Sequence, residues 1–434
     1  MSDASFNALV AALCSPVNSV RQQAERHYLG VRNSTPEQLI LPLVGLIGDS
    51  LGSTNGDAAQ ARTMCAVLLR PLVKDAAVWG ALPASSREAA KDATLRAVAI
   101  ERTAYAQRSL CHSVATIAAA TFGSGGSGAS WPALIPCVLQ LLADDHAPTR
   151  EIAAQLVRVL TIALRQRCDL IERNADALLN ALWERLGGDP SLAVRVVAAR
   201  TVSALLACVH RDGAAARAWE AKLAPFLAPM LGAVEAALAA REEERGRAAL
   251  EALVDVAELR PSFFAAPEQF EALARALVAI AACATLETGT RALALEVIIV
   301  LLEANPSLCA PNAALLARLF ALTLDMMASV DGMGGGAPPS AEAQAEWEHA
   351  LDSRVGPLGD DVGSASYTGG DAFERLSGAM GRGALAVAWP HIEARLSAAS
   401  GGAPTRRWGP RWAALVAIAL LGEGCADELR AQVC

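Results

Sequence analysis

The chain has 434 residues, a length that suits about three globular domains or one long array of repeats. Apolar residue types make up 53% of the chain and charged types 19%, so the composition excludes a mainly disordered protein. The formal net charge of −8 argues against direct binding of nucleic acid or of an anionic membrane surface, and it favours basic partners.

The ten cysteines are scattered singly, without a C-x-x-C pair and without histidine at ligand spacing. This pattern predicts neither a zinc site nor a disulfide framework, and it is typical of small buried thiols in a reducing compartment. No uninterrupted apolar run reaches the roughly 18 residues that cross a bilayer. The N-terminus carries Asp3 and lacks the basic segment of a secretory signal. We therefore expect no membrane insertion.

Helix signals recur along the chain. Thr35–Gln38 combines an N-cap threonine, a proline for the first helical position and a glutamine for the capping box, and Ser85 with Glu88 repeats the device. Apolar residues at helical spacing mark one helix over 175–186 and another over 194–205. Because no convincing strand of period two occurs, the sequence predicts an all-α protein.

The helices come in pairs, and a short motif recurs near the start of the second helix of each pair. In its usual form, an arginine is followed by alanine or cysteine three positions later. The arginines are Arg21, Arg62, Arg108, Arg150, Arg195, Arg291 and Arg411, with degenerate copies at Arg245 and Arg375. Most of their spacings lie near the roughly 40 to 47 residues of HEAT or armadillo repeats.

This period predicts a HEAT/armadillo-type α-solenoid of about nine helix pairs. Each pair is unable to bury its apolar face alone, so the neighbouring pairs must cover it. We interpret the repeated arginine as structural, with hydrogen bonds to carbonyl groups or to an acid of the adjacent repeat.

One long spacing, between Arg291 and Arg375, contains an insertion over residues 331–370. This segment is rich in Gly, Pro and Ser. It contains seven acidic residues and a single Lys or Arg residue, Arg354. Two interpretations stay open, a bare disordered spacer and an electrostatic arm for a basic partner. The candidate partner-contact residues are Glu342, Glu346, Glu348, Asp352, Asp360 and Asp361.

These features divide the chain into five segments. The predicted segments are N-terminal HEAT repeats over 1–122, a flexible Gly/Ser linker over 123–130, middle HEAT repeats over 131–330, the acidic insertion over 331–370, expected to be disordered, and further HEAT repeats over 371–434, truncated in the last.

Motifs that would support chemistry fail on their context. Gly123–Gly128 formally fits G-x-G-x-x-G, but a helix rather than a strand precedes it, so a flexible linker is the better interpretation. Cys111 and His112 are adjacent on one helix and diverge by about 100°, so they do not form a nucleophile and base. The sequence predicts no enzyme, no catalytic residue, no metal and no cofactor.

Several stretches resemble one family in order and spacing. Phe6–Tyr28 (FNALVAALCSPVNSVRQQAERHY) and Ala61–Val73 (ARTMCAVLLRPLV) resemble the N-terminal repeats of the importin-beta (karyopherin-beta) family. Leu293–Glu303 (LALEVIIVLLE) is similar to its importin-5 branch, also called karyopherin beta-3. The acidic insertion, then Gly369–Gly381 (GGDAFERLSGAMG), then Gly422–Cys425 (GEGC), follows the order of that branch.

This resemblance implies a nuclear import receptor that shuttles between cytoplasm and nucleus and releases its cargo when RanGTP binds. The implied partners are Ran GTPase in its GTP form, phenylalanine-glycine nucleoporins and basic protein cargo. In such receptors the N-terminal repeats, here 1–122, bind Ran on the inner face, and the outer helices of middle repeats bind nucleoporin phenylalanines. The family's chains are more than twice this length, so we expect much of the cargo surface to be missing.

Two alternatives remain at this point. One is a HEAT-repeat scaffold that holds other proteins together, such as a phosphatase scaffold or a tubulin-binding array. The other is a truncated fragment of the receptor that lacks much of the cargo site. A scaffold would show no preference between the nucleotide states of Ran.

Overall fold

The computed structural model of the chain describes residues 3–51, 53, 55–123, 130–164, 169–208, 214–264, 267–308, 313–329, 364–398, 408–424 and 429. In these ranges the regular secondary structure is helical and contains no β-strand. The chain divides into two compact units, Met1–Ala233 and Val234–Cys434.

The first unit contains the first thirteen α-helices of the described residues. They are α1 (Asp3–Leu13), α2 (Asn18–Ser34), α3 (Glu37–Asp49), α4 (Gly56–Lys74), α5 (Ala76–Ala81), α6 (Ala84–Ile100), α7 (Ala104–Gly123), α8 (Leu134–Leu142), α9 (Ala147–Ala163), α10 (Asp169–Arg173), α11 (Ala175–Gly188), α12 (Leu192–Cys208) and α13 (Ala214–Leu223).

Helix α14 (Leu227–Ala239) includes the boundary between the units, and the second unit contains the remaining helices. These are α15 (Glu243–Leu259), α16 (Pro267–Ala282), α17 (Thr288–Ala304), α18 (Ala313–Ala328), α19 (Ala365–Met380), α20 (Gly383–Ala398) and α21 (Trp408–Gly424). Short 3₁₀ turns at Ala224–Phe226, Pro261–Phe264 and Pro306–Leu308 lie between helices.

Across the described residues the long helices form nine successive pairs. The pairs are α1/α2, α3/α4, α6/α7, α8/α9, α11/α12, α14/α15, where Leu238 lies against Gly246, α16/α17, α18/α19 and α20/α21. In the first unit the second helices α4, α7, α9 and α12 pack side by side, and in the second unit so do α15, α17, α19 and α21. The predicted α-solenoid of about nine helix pairs is therefore confirmed.

Second helices are covered on several sides, and this explains their composition. In α17 the buried residues include both Val297–Ile299 and Leu301–Leu302, so they surround most of the helix. The neighbouring helices therefore cover α17 on most of its sides. In the same unit Phe320 of α18 and Phe373 of α19 pack edge to face, with ring centroids 5.2 Å apart.

One helical stretch of the described part, Arg217–Ala239, is long and apolar enough to cross a membrane by length and composition alone. Core helices of soluble proteins pass the same test, and Met230 and Val234 of this stretch are fully buried. The 3₁₀ turn at Ala224–Phe226 also interrupts it. We assign the stretch to the repeat stack.

The two predicted capping boxes are wrong in detail. Helix α3 begins at Glu37, and no side chain caps its N-terminus. Thr35 is instead the C-cap of α2, and its backbone N–H donates to the Val31 carbonyl at 2.8 Å. Helix α6 begins at Ala84, so Ser85 lies inside the helix and not at its N-cap. Both helix starts were predicted to within two residues.

The predicted insertion, 331–370, falls largely outside the described residues, as do residues 124–129 of the predicted linker over 123–130. The last residues of the predicted insertion, from Ala365 onward, form the first turns of α19. Gly369 lies so close to α18 that a Cβ atom there would be 2.6 Å from the Met327 nitrogen and 2.7 Å from the Thr323 carbonyl oxygen. The glycine thus belongs to a tight helix contact.

Candidate functional site

A buried arginine joins the second repeat to the third. The Arg62 side chain in α4 is almost inaccessible, and its guanidinium donates to both carboxylate oxygens of Glu101, in the turn between α6 and α7. The same guanidinium donates to the carbonyl groups of Ser50 and Ser53, in the turn between α3 and α4, at 2.6 and 3.1 Å. One side chain therefore holds together the turns of two adjacent repeats.

The fourth repeat is joined to the fifth by the same arrangement. Arg150 in α9 donates to the two oxygens of Asp189, in the turn between α11 and α12, at 2.6 and 2.9 Å. It also donates to the carbonyl groups of Asp144 and Asp145, at 2.9 and 2.8 Å. These two pairs confirm the prediction that the repeated arginine binds carbonyl groups and an acid of the adjacent repeat.

Both carboxylates are held in their ionised form. Burial by itself would raise the pKa of Glu101, but hydrogen bonds from Arg62 and from the backbone N–H groups of Thr103 and Arg102 lower that pKa below its usual range. Burial opposes ionisation of Asp189 in the same way, and the hydrogen bond from Arg150 lowers its pKa. The two ion pairs are therefore charged in the folded chain.

Other repeat arginines bind within their own repeat. Arg21, Arg195 and Arg291 donate to the carbonyl groups of Ser15, Leu186 and Ala281. In the second unit, Arg247 rather than Arg245 reaches the next repeat, because it pairs with Glu287 at the start of α17.

At the third repeat the predicted motif is shifted by one residue. The buried position belongs to Gln107, whose Nε2 donates to the Val98 carbonyl at 3.3 Å, while Arg108 is exposed. A neutral amide also satisfies a backbone carbonyl, so the motif does not require arginine there.

The degenerate copy at Arg375 is also misplaced, because this residue lies in the third turn of α19 and not in the first. Its guanidinium donates to Glu296 at 2.7 and 3.0 Å and to Glu303 at 2.9 and 2.8 Å, both on α17. Arg375 still joins two repeats, but through the middle of the helices.

All six predicted partner-contact acids, from Glu342 to Asp361, lie outside the described residues. Their role in binding a basic partner stays a prediction. The described part contains a different exposed acidic set that the sequence analysis missed. On α15, Glu244, Glu251, Asp255 and Glu258 are exposed and share one helix face, since their spacings of seven, four and three residues keep them in line. The spacing was visible in the sequence.

A second surface feature is a groove between α14 and α16, the first helices of two successive repeats. It has a volume of about 690 Å³, and its apolar lining includes Leu238 from α14, Ile280 from α16 and Leu286 from the turn after α16. Glu235, Arg241 and Glu243 form the polar part of the lining. An apolar floor with a charged border is typical of a surface that binds a partner's side chain.

The half-exposed thiol of Cys283 also lines this groove. Hydrogen bonds from the Thr285 hydroxyl and from the backbone N–H groups of Thr285 and Leu286 lower the pKa of Cys283. By contrast, burial raises the pKa of Cys65 and of Cys111 to about 12. The groove therefore contains a thiol of higher reactivity than those of the core.

Comparison with known protein families finds two matches in successive parts of the chain. The family model described as "IPO5-like, TPR repeats" matches residues 102–276, and the model described as "Importin repeat" matches residues 284–387. Together these matches cover more than half of the chain. The chain belongs to the importin-beta family. The first of the two matches lies in its importin-5-like group.

Solved structures share the fold over the whole chain. Kap121p matches with a TM-score of 0.76 and 20% identity over 99% of this chain and 38% of its own. Kap121p bound to RanGTP matches with a TM-score of 0.72, 19% identity and coverages of 99% and 37%. Kap121p bound to Nup53p matches with a TM-score of 0.75, 20% identity and coverages of 99% and 38%. This importin-beta chain thus spans less than two fifths of the length of these relatives.

The buried pairs predict a pH-dependent effect of mutation. Replacing Arg62 with methionine leaves the Glu101 carboxylate buried without its partner, and we expect a loss of about 3–5 kcal/mol in the free energy of unfolding at neutral pH. The pKa of Glu101 is lowered in the folded wild type. The stability that the ion pair gives to the wild type is therefore fully present above the pKa of about 4 that Glu101 has in the unfolded chain, and it decreases as the pH falls through the lower pKa of Glu101 in the folded chain.

Urea denaturation of the wild type and of Arg62→Met, at neutral pH and at about pH 3.5, measures both effects. The matched control is Arg96→Met, because Arg96 is exposed and binds only the Asp92 carbonyl of its own helix. Its cost should be below about 0.5 kcal/mol at both pH values. A cost of Arg62→Met that equals that of the control, or that does not change with pH, would contradict the assignment.

Proposed function

We propose that the chain acts as the receptor part of a nuclear import factor, which carries protein cargo through the nuclear pore and releases it on RanGTP binding. The observation that supports this proposal is the match to importin families over two successive stretches of a chain built of helix pairs. Its structural relative Kap121p has been solved with RanGTP, with Nup53p and with Pho4p. The proposal involves no catalysis and no cofactor, and places the chain in both cytoplasm and nucleus.

Release follows from the coupling of two binding sites. In the proposal, Ran in its GTP form binds the N-terminal repeats, and cargo binds the acidic face of later repeats. If each ligand disfavours the other, each lowers the affinity of the other by the same factor. RanGTP in the nucleus then displaces cargo without any chemical step on the receptor.

Cargo with basic segments suits the charge of the second unit. The four acids of α15 are exposed on one face, and they would attract lysine or arginine side chains of a partner. The acids of the insertion, Glu342 to Asp361, extend the same sign of charge along the sequence. Basic cargo is therefore the partner class that we propose for this part of the chain.

The groove between α14 and α16 is our candidate for the phenylalanine side chains of nucleoporins. Its lining of Leu238, Ile280 and Leu286 offers apolar contact to an aromatic ring, and its volume of about 690 Å³ leaves room for the adjoining backbone. Many such shallow contacts, each weak, allow rapid exchange while the receptor moves through the pore.

Capture by immobilised Ran tests the receptor proposal. The purified chain should bind Ran locked in its GTP form and should bind Ran-GDP much less, in moderate salt. Circular dichroism first establishes that the sample is helical. Equal capture of a helical sample by the two nucleotide states would favour the scaffold alternative, and no capture by either state would favour a fragment without receptor activity.

Alkylation of Cys283 tests the nucleoporin groove. Because its pKa is lowered, Cys283 should react with iodoacetamide faster than Cys14 and Cys137, whose pKa values are raised by burial. An excess of a phenylalanine-glycine peptide should slow the reaction of Cys283, as measured by mass spectrometry of the digest. The matched control is the same peptide with serine in place of phenylalanine. Equal reaction rates with the two peptides would contradict this assignment.

A further inference from the structure

The first unit contains a cavity of about 950 Å³ that the receptor proposal does not use. Five helices contribute to its wall, namely the C-terminal ends of α4, α7 and α9, the short helix α5 and the N-terminal half of α6. The floor is made mainly of small residues of α7, among them Ala115 and Ala119, so a bound chain can approach the helix closely. Ile162 of α9, which is 47% exposed, adds an apolar contact at the wall.

The charged side chains of this cavity are mostly cationic. Its lining contains Lys74, Arg87, Lys91 and Arg158, against the single acid Glu88. Lys91 is buried and its ammonium donates to Glu88 at 2.8 Å and to the Ser130 carbonyl at 2.9 Å, so these two opposite charges compensate each other. The lining therefore contains more cationic than anionic side chains.

Two of these cations have no ion pair in the part of the chain that the structure describes. Lys74, at the end of α4, is exposed, and Arg87 on α6 is half-buried. Side-chain cations that line a concave wall without carboxylate partners attract anions more strongly than cations on a flat surface, because the surrounding protein excludes water.

A histidine on the wall of the cavity is also close to arginine side chains. The pKa of His112, on the α7 wall of the cavity, is lowered by burial first and then by the charges of Arg70 and Arg158. Helix C-termini oppose the positive charge of the lining, but each contributes at most about half a negative charge, and the effect falls off within one turn. The full charges of Lys74 and Arg87 together exceed the sum of these partial charges at the ends of α4, α7 and α9.

From this geometry we infer that the cavity binds an acidic peptide segment of a protein partner, with carboxylate side chains on Lys74 and Arg87 and the peptide backbone on the floor of α7. A segment fits better than a single small anion, because the cations are spread over three helices around an apolar floor. The site is distinct from the acidic face of α15, which would bind partners of opposite charge.

Direct binding tests this inference without Ran or cargo. The probe is a short fluorescein-labelled peptide of glutamate and leucine, titrated with the full chain and followed by fluorescence anisotropy. We expect saturable binding that weakens as salt is added, since the contacts are charged. Replacement of both Lys74 and Arg87 by glutamate should weaken binding at least about tenfold, because the cavity then repels the peptide.

The matched control is the double variant Arg26→Glu and Arg96→Glu, which changes the net charge by the same amount at two exposed positions that do not line the cavity. Its affinity should stay within about twofold of the wild type. Melting temperatures and circular dichroism of both variants establish that each is folded.

Three results would overturn the inference. The first is equal weakening by the two double variants, which would indicate a general charge effect and not a site. The second is the absence of saturable peptide binding to the wild-type chain. The third is binding of inorganic phosphate at this cavity while the peptide does not bind, which would indicate a pocket for a small anion.

Discussion

The interaction on which the packing of the first unit depends is a buried arginine that binds a carboxylate of the next repeat. Arg62 and Arg150 each make four hydrogen bonds, two to an acid of the following repeat and two to carbonyl groups of their own turn. Removing such ions from water is expensive, and the pair is tolerated only where nearly all its polar atoms are bonded. The turns of adjacent repeats are therefore held in one arrangement, and the helices above them pack in register.

A stack joined in this way leaves its surfaces for recognition. The buried apolar residues pack between helices, and the repeated arginines bind carbonyl groups and acids of the stack. Surfaces for partners therefore consist of other residues. The groove between α14 and α16 is apolar, the exposed face of α15 is acidic, and the cavity among α4, α6, α7 and α9 is cationic. These surfaces differ in the chemistry of the partners they suit, as the proposed receptor function requires.

The repeat architecture could be predicted from sequence because its signals are local. Helical periodicity and the recurring arginine lie within single helices, and the spacing of the arginines along the chain predicts the number of pairs. The partners Glu101 and Asp189 could not be predicted, since each lies 39 residues from its arginine in an unremarkable turn. The cavity was also missed, because its cations come from three helices that only the packing brings together.

Hydrogen exchange of Arg150→Met tests most directly whether the buried pair couples two repeats. If the pair couples them, exchange measured by mass spectrometry should become faster in α8 and α9 and also in α11 and α12, while α3 and α4 stay protected. Faster exchange confined to the turn that contains Asp144 and Asp145 would contradict the account, because Arg150 would then stabilise only its own repeat.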